Sequence, residues 1–69
     1  MGSAAIRRVV QELRKIREAK GLSQSDVAKK VGCWTSQIAD YEAGRVTPGS
    51  VRLLLWIDAV DADFTITPR

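Results

Sequence analysis

The stretch GLSQSDVAKKVGCWTSQIADYEAG, running from Gly21 to Gly44, decides the fold. In its first half Ser23 stands three residues before Asp26, the Ser-x-x-Asp spacing of a capping box, although Asp is shorter than the usual Glu or Gln and reaches back less well. Behind that start, Val27, Ala28 and Val31 form one apolar face of a helix over 23–31, and Gly32 ends it. The second half, 35–43, sets Ile38 and Tyr41 one turn apart and is closed by Gly44. Only Gly32, Cys33 and Trp34 separate the two helices, which is too little chain to let them lie antiparallel and pack side by side. The pair reads as two helices set at an angle across a tight turn.

Working outward, Ile6, Val9, Val10, Leu13 and Ile16 recur at steps of three and four, with Arg7, Arg8, Gln11, Glu12, Arg14, Lys15 and Glu18 on the other side. This predicts an amphipathic first helix over 4–20, with Ser3 as N-cap, Gly21 as left-handed C-terminal cap and Leu22 as an apolar plug folded back on it. On the far side, Thr47-Pro48-Gly49-Ser50 punctuates the chain, and a fourth helix over 49–60 follows, capped by Thr47 or Ser50. Leu53, Leu54, Trp56, Ile57 and Val60 can cover a core; Val51 and Leu55 fall at its edge or beyond, an apolar stripe with no partner inside the chain. The tail, 63–67, alternates with period two in β-branched and aromatic residues and reads as a strand. A lone strand leaves its backbone unpaired, so it either frays or pairs with a second copy across a two-fold axis. The expected fold class is therefore all-α, a four- to five-helix bundle in one domain over 1–69, plus a short C-terminal strand.

Composition narrows the chemistry. A chain of 69 residues has room for one small domain, and at that size only about 60% of the unfolded surface is buried, so dimerisation is a natural source of stability. There is no histidine and a single cysteine, Cys33, which leaves no internal disulfide, no zinc site and no imidazole acid or base. An enzyme and a bound cofactor are not expected. The longest apolar run, Leu53 to Ile57, falls far short of the about 18 residues that span a bilayer, and the start MGSAA lacks a hydrophobic signal core. These features point to a cytoplasmic protein without a membrane partner. The net charge of +3 is unevenly placed: residues 1–30 hold eight Lys/Arg against three acids, and residues 31–69 hold three against five. Angled helices with a basic first half make double-stranded DNA the first partner to consider, although a basic surface alone is as often plain solvation.

The spacing Leu-Arg-x-x-Arg-x-x-x-Gly-Leu-Ser-Gln from Leu13, then Val-Ala-x-x-Val-Gly from Val27, then Ile-x-x-Tyr-Glu-x-Gly from Ile38 resembles the lambda-repressor-like (Cro/C1, XRE-type) helix-turn-helix family over about residues 13–60. The resemblance implies a bundle whose third helix enters the major groove, usually as a dimer. It further implies a buried ion pair between Arg17 and Glu42, a phosphate contact at Gln24 that sets docking depth, and base contacts at Thr35, Ser36 and Asp40, with Gln37 adjacent. A helical wheel with Ile38 and Tyr41 inward agrees, turning Ser36, Asp40 and Ala43 outward, flanked by Gln37 and Ala39. Gln can pair bidentately with adenine, Ser or Thr can reach several bases, and Asp can only accept, most naturally from cytosine N4.

No Arg or Lys lies on this third helix, which instead carries Asp40 and Glu42. Attraction to phosphates must come from elsewhere, with Arg14, Arg17, Lys29, Lys30 and Arg45 as candidates. Three neutralised phosphates per monomer would give a dimer a log-log salt slope of about −5. Two positions depart from the family. Trp34 occupies a common Ser or Thr cap, so the cap is expected to shift to Thr35, with the indole either packing on the sugar-phosphate backbone or shielding the turn. Cys33 stands where a small apolar residue is usual and is expected to be a buried structural thiol rather than a redox sensor.

A second, slighter similarity, to regulators of the antitoxin type, rests on the fourth helix together with Phe64-Thr65-Ile66-Thr67-Pro68. In those proteins a C-terminal strand pairs across the dimer, which would place Val51, Leu55, Phe64 and Ile66 in a homodimer interface. The combined reading is a sequence-specific DNA-binding transcriptional regulator, a repressor on a palindromic operator. The rival is an antitoxin or phage regulator whose main partner is a toxin or other protein. With so little chain beyond the motif, no effector-sensing domain is expected.

Overall fold

The structure, a computed structural model, describes residues 3–60. It contains four helices: α1 Ser3–Ala19, α2 Gln24–Val31, α3 Thr35–Ala43 and α4 Ser50–Ala59. The fold is all-α, and no strand occurs among the described residues. The expected strand over 63–67, with Phe64 and Ile66, lies outside them.

Each helix end is fixed by its own sequence. After α1, Gly21 takes a φ of 70°, and its N–H donates to the Glu18 carbonyl while that of Leu22 donates to Arg17, the paired bonds of a Schellman cap. Leu22 packs against the core as the expected plug. At the start of α2 the Ser23 Oγ accepts from the Asp26 N–H at 3.0 Å, and an Asp26 carboxylate oxygen accepts from the Ser23 N–H at 2.9 Å. The short Asp side chain therefore does close the capping box. Ser3, expected as an N-cap, is the first residue of α1. For α4 the cap differs from expectation: Gly49 holds the N-cap position and no side chain caps the helix, so neither Thr47 nor Ser50 serves.

All four helices contribute to one core. Val10 and Leu13 come from α1, Val27, Ala28 and Val31 from α2, Ile38 and Tyr41 from α3, and Leu53, Trp56, Ala59 and Val60 from α4 and its end. α2 packs on both α3 and α4, and α1 braces the same two helices. Trp56 is fully enclosed, its ring centroid 6.0 Å from that of Tyr41 at 36°. Such a ring pair contributes about 0.5–1.5 kcal/mol beyond its buried area. That gain works against a cost of about 1–3 kcal/mol for the buried Trp56 Nε1–H, which has no acceptor among the described residues. Leu54, expected to help cover the core, is instead 65% exposed, because α4 turns Leu53, Trp56 and Val60 inward and Leu54 lies about 100° around the helix from Leu53. Leu54 joins Val51 and Leu55 in the outward apolar stripe.

Candidate nucleic-acid interface

The third helix is held at its far end by a polar network centred on Glu42, one of two buried charged groups in the described residues. Arg17 Nε donates to Glu42 Oε2 at 2.8 Å, and Arg17 Nη2 donates to Oε1 at 2.9 Å, a bidentate pair joining α1 to α3. The remaining Arg17 nitrogen, Nη1, donates to the Leu22 carbonyl at 2.8 Å. The hydrogen bond from Arg17 to Glu42 raises the guanidinium pKa above its ordinary value, outweighing the opposing effect of burial. Gln24, at the start of α2, donates its amide to Glu42 Oε1 at 3.1 Å, and Gln11 of α1 donates to the Glu42 backbone carbonyl at 2.9 Å. Thus three helices meet on one residue. Arg17 must be removed from the phosphate candidates: it is buried and each of its nitrogens is engaged within the fold. Gln24 has one amide hydrogen left over for an outside acceptor.

At the other end, α3 begins after Trp34, which is the N-cap; the cap does not shift to Thr35. An indole cannot accept a hydrogen bond, so no side chain caps the first-turn amides. The reverse half of a capping box does form: Gln37 Oε1 accepts from the Trp34 N–H at 3.0 Å. Trp34 is 78% exposed, so its indole does not shield the turn. Cys33 is half-buried rather than enclosed, and it packs against the edge of the core.

Along α3, Thr35, Ser36 and Ala43 are exposed, Gln37, Ala39 and Asp40 half-exposed, and Ile38, Tyr41 and Glu42 buried. The outward face is less acidic than the composition of the helix suggests. Glu42 points inward onto Arg17, and the Asp40 carboxylate accepts from Arg45 Nε at 2.9 Å. Asp40 and Arg45, assigned respectively to a base and to a phosphate, are therefore bound to each other in the free protein. Arg45 is placed there by the cap of α3, where Gly44 has a φ of 78° and the Arg45 N–H donates back to the Asp40 carbonyl. A Cβ on Gly44 would lie 2.9 Å from the Arg7 guanidinium, which closes over this cap from α1.

The basic first half is also partly spent. Arg14 approaches Glu18 at 3.8 Å and Glu42 at 3.9 Å, and Lys15 pairs with Glu12. Lys20 donates to the Val60 carbonyl at 2.6 Å. Among the described residues, the cations without an ion pair or hydrogen bond are Arg7, Arg8, Lys29, Lys30 and Arg52. Arg52 is absent from the sequence-based phosphate candidates: it lies in the net-acidic half of the chain and, unlike Arg45, does not directly follow the third helix. Its position just behind Pro48-Gly49, in the first turn of a helix packed on α2, was the available signal. Among the described residues no cluster of three or more His, Cys, Asp or Glu could hold a metal, and no helix is long and apolar enough to cross a membrane.

Comparison with known proteins fits this geometry. The sequence pattern of the family described as "Helix-turn-helix domain" matches residues 8–63. An uncharacterized HTH-type transcriptional regulator of Archaeoglobus fulgidus is 44% identical over 50 residues, which cover 72% of this chain and 22% of that protein. The chain thus matches about a fifth of that relative's length. The crystal structure of the restriction-modification controller protein C.AhdI from Aeromonas hydrophila superposes with a TM-score of 0.77 at 33% identity, over 87% of this chain and 91% of that one. With a family pattern matched over most of its length and a fold shared with a controller protein, this chain belongs to the XRE-like family of helix-turn-helix DNA-binding transcriptional regulators.

Proposed function

We propose that the chain represses transcription as a homodimer bound to a palindromic operator, reading bases through Thr35, Ser36, Gln37 and Asp40. The observation that carries this reading is the arrangement of α3. Its buried side is fixed by Ile38, Tyr41 and the Arg17–Glu42 pair, while Thr35 and Ser36 stand exposed at its leading end. A helix so anchored presents its first turn in one orientation, which is what major-groove readout requires. Gln24, Trp34, Arg14, Lys29, Lys30 and Arg45 serve as backbone contacts, and the apolar stripe on α4 supplies the dimer face. The likeness to C.AhdI, named a restriction-modification controller, supports a regulatory role.

Selection of binding sites from a random duplex pool tests the reading. A palindrome with half-sites about 10–10.5 bp apart is expected, with Ser36→Ala and Thr35→Ala relaxing preference at individual positions. If those variants bind every sequence more weakly but keep the wild-type preference, the base-contact assignment is wrong.

A further inference from the structure

Beside the turn between α2 and α3 lies an open hollow of about 440 Å³ lined by Gly32, Cys33, Trp34, Gln37 and Arg52. A larger one, of about 590 Å³, shares Gly32 and Arg52 with it. No carboxylate lines either hollow. Arg52 is half-buried there and makes no hydrogen bond or ion pair with any described residue. A guanidinium that has given up part of its hydration without gaining an internal acceptor is placed to take one from outside.

Charge along the chain defines that acceptor. From Val31 to Gly44, covering the turn and the whole recognition helix, there is no Lys or Arg. At the other end of α3, Arg45 is engaged with Asp40. Arg52 lines the same hollow as Trp34 and Gln37, and so brings a positive charge to the leading end of this helix. The planar guanidinium matches a phosphodiester bidentately, and the neighbouring indole of Trp34, 78% exposed, offers an apolar face of the right size for a deoxyribose.

We infer that Arg52, together with the exposed indole of Trp34, forms a notch that grips the DNA phosphodiester backbone beside the leading end of the recognition helix. The notch fixes register and adds affinity without reading sequence, as phosphate contacts do. This inference rests on the DNA-binding reading of the chain.

Salt-dependent binding of the full chain to two probes, its selected operator and a random-sequence duplex, tests it. Arg52→Gln is expected to make the log-log salt slope shallower by about 0.9 per bound monomer, equivalent to about an eightfold smaller change in affinity per tenfold change in salt. The loss should appear on both duplexes, with the base preference intact. Arg52→Lys should keep the slope while binding more weakly, and Trp34→Ala should weaken binding without moving the slope. A wild-type slope in Arg52→Gln, an altered base preference, or tighter retention of a co-purified protein than of DNA would overturn the assignment. So would a lowered melting temperature in Arg52→Gln, since Gln and Arg have similar helix propensity and a loss would reveal a packing role. If the wild-type chain binds neither duplex, the DNA-binding reading fails as a whole; if it binds steeply and Arg52→Gln matches it, only the notch fails.

Discussion

Arg17 and Glu42, 25 residues apart in sequence, form a two-pronged ion pair at 2.8 and 2.9 Å that joins the first helix to the end of the third. Glu42→Ala leaves a buried guanidinium without its carboxylate, and Gln24 without its acceptor, at a cost of about 3–5 kcal/mol. In a domain this small that lowers the melting temperature by more than about 10 °C. Replacing both partners by apolar residues, as in Arg17→Met with Glu42→Leu, should recover part of the loss. A Glu42→Ala protein that melts with the wild type would show that the network contributes nothing.

Gln37 has two roles that a truncation cannot separate. Its Oε1 caps the Trp34 N–H, whereas bidentate pairing with adenine needs both that oxygen and the amide nitrogen. Reading adenine therefore requires the cap bond to break or share. Gln37→Glu keeps an acceptor at the third position of the helix, the residue type preferred in a capping box, and removes the donor. Its melting temperature should equal or exceed that of the wild type while preference for adenine at the contacted position disappears. Unchanged preference in a site-selection assay would mean that Gln37 is only a cap.

How far the sequence exposed this arrangement depended on what kind of signal each residue carried. Ile38 and Tyr41 announced the inward side of α3 because two apolar residues on a polar helix leave one way to turn it. On α4 the same logic failed: with Leu53, Leu54, Leu55, Trp56 and Ile57 in succession, periodicity does not choose a face, and small Ala59, not Leu54, completes the buried side. Arg17 and Glu42 were legible through family likeness alone, since hydrophobic periodicity has nothing to say about which charges are buried. Arg17 is poorly placed as a phosphate ligand because it is buried and each of its three nitrogens already donates inside the fold. The Gln37 cap had a local signature, a Gln three residues after the N-cap, hidden because Trp34 is not a capping residue type.

Asp26 ties the start of α2 to solution pH. Its carboxylate accepts from the Ser23 N–H, and this backbone bond is the main reason that its pKa lies below the ordinary 3.8; the Ser23 side chain adds to it, and Lys29 and Lys30 contribute less. A folded pKa below the unfolded one means that the stabilisation is fully present above the unfolded value and is lost as pH falls through the folded value. Urea unfolding of the wild type and Asp26→Asn should therefore differ at neutral pH, and the difference should shrink at pH values below 3.8. A gap that stays constant throughout the acid range would assign the effect of the substitution to something other than the carboxylate charge.

The apolar stripe on α4 sets the last expectation. Val51, Leu54 and Leu55 are 70%, 65% and 44% exposed, at spacings of three and four that put them on one side of a ten-residue helix. Single exposed apolar residues are ordinary, but three adjoining ones on a chain of this size form a patch of the kind that a partner covers. Dimerisation through this stripe would make the melting temperature rise with protein concentration, because the associated state is favoured by mass action. Leu54→Glu should abolish that dependence and yield a monomer by sedimentation. The monomer should remain helical, since Leu54 takes no part in the core. It should also bind a palindromic duplex with a salt slope about half that of the wild type, each subunit neutralising its own set of phosphates. A wild-type chain whose melting temperature is independent of concentration, and which sediments as a monomer, would overturn the dimer and leave the stripe to a different protein.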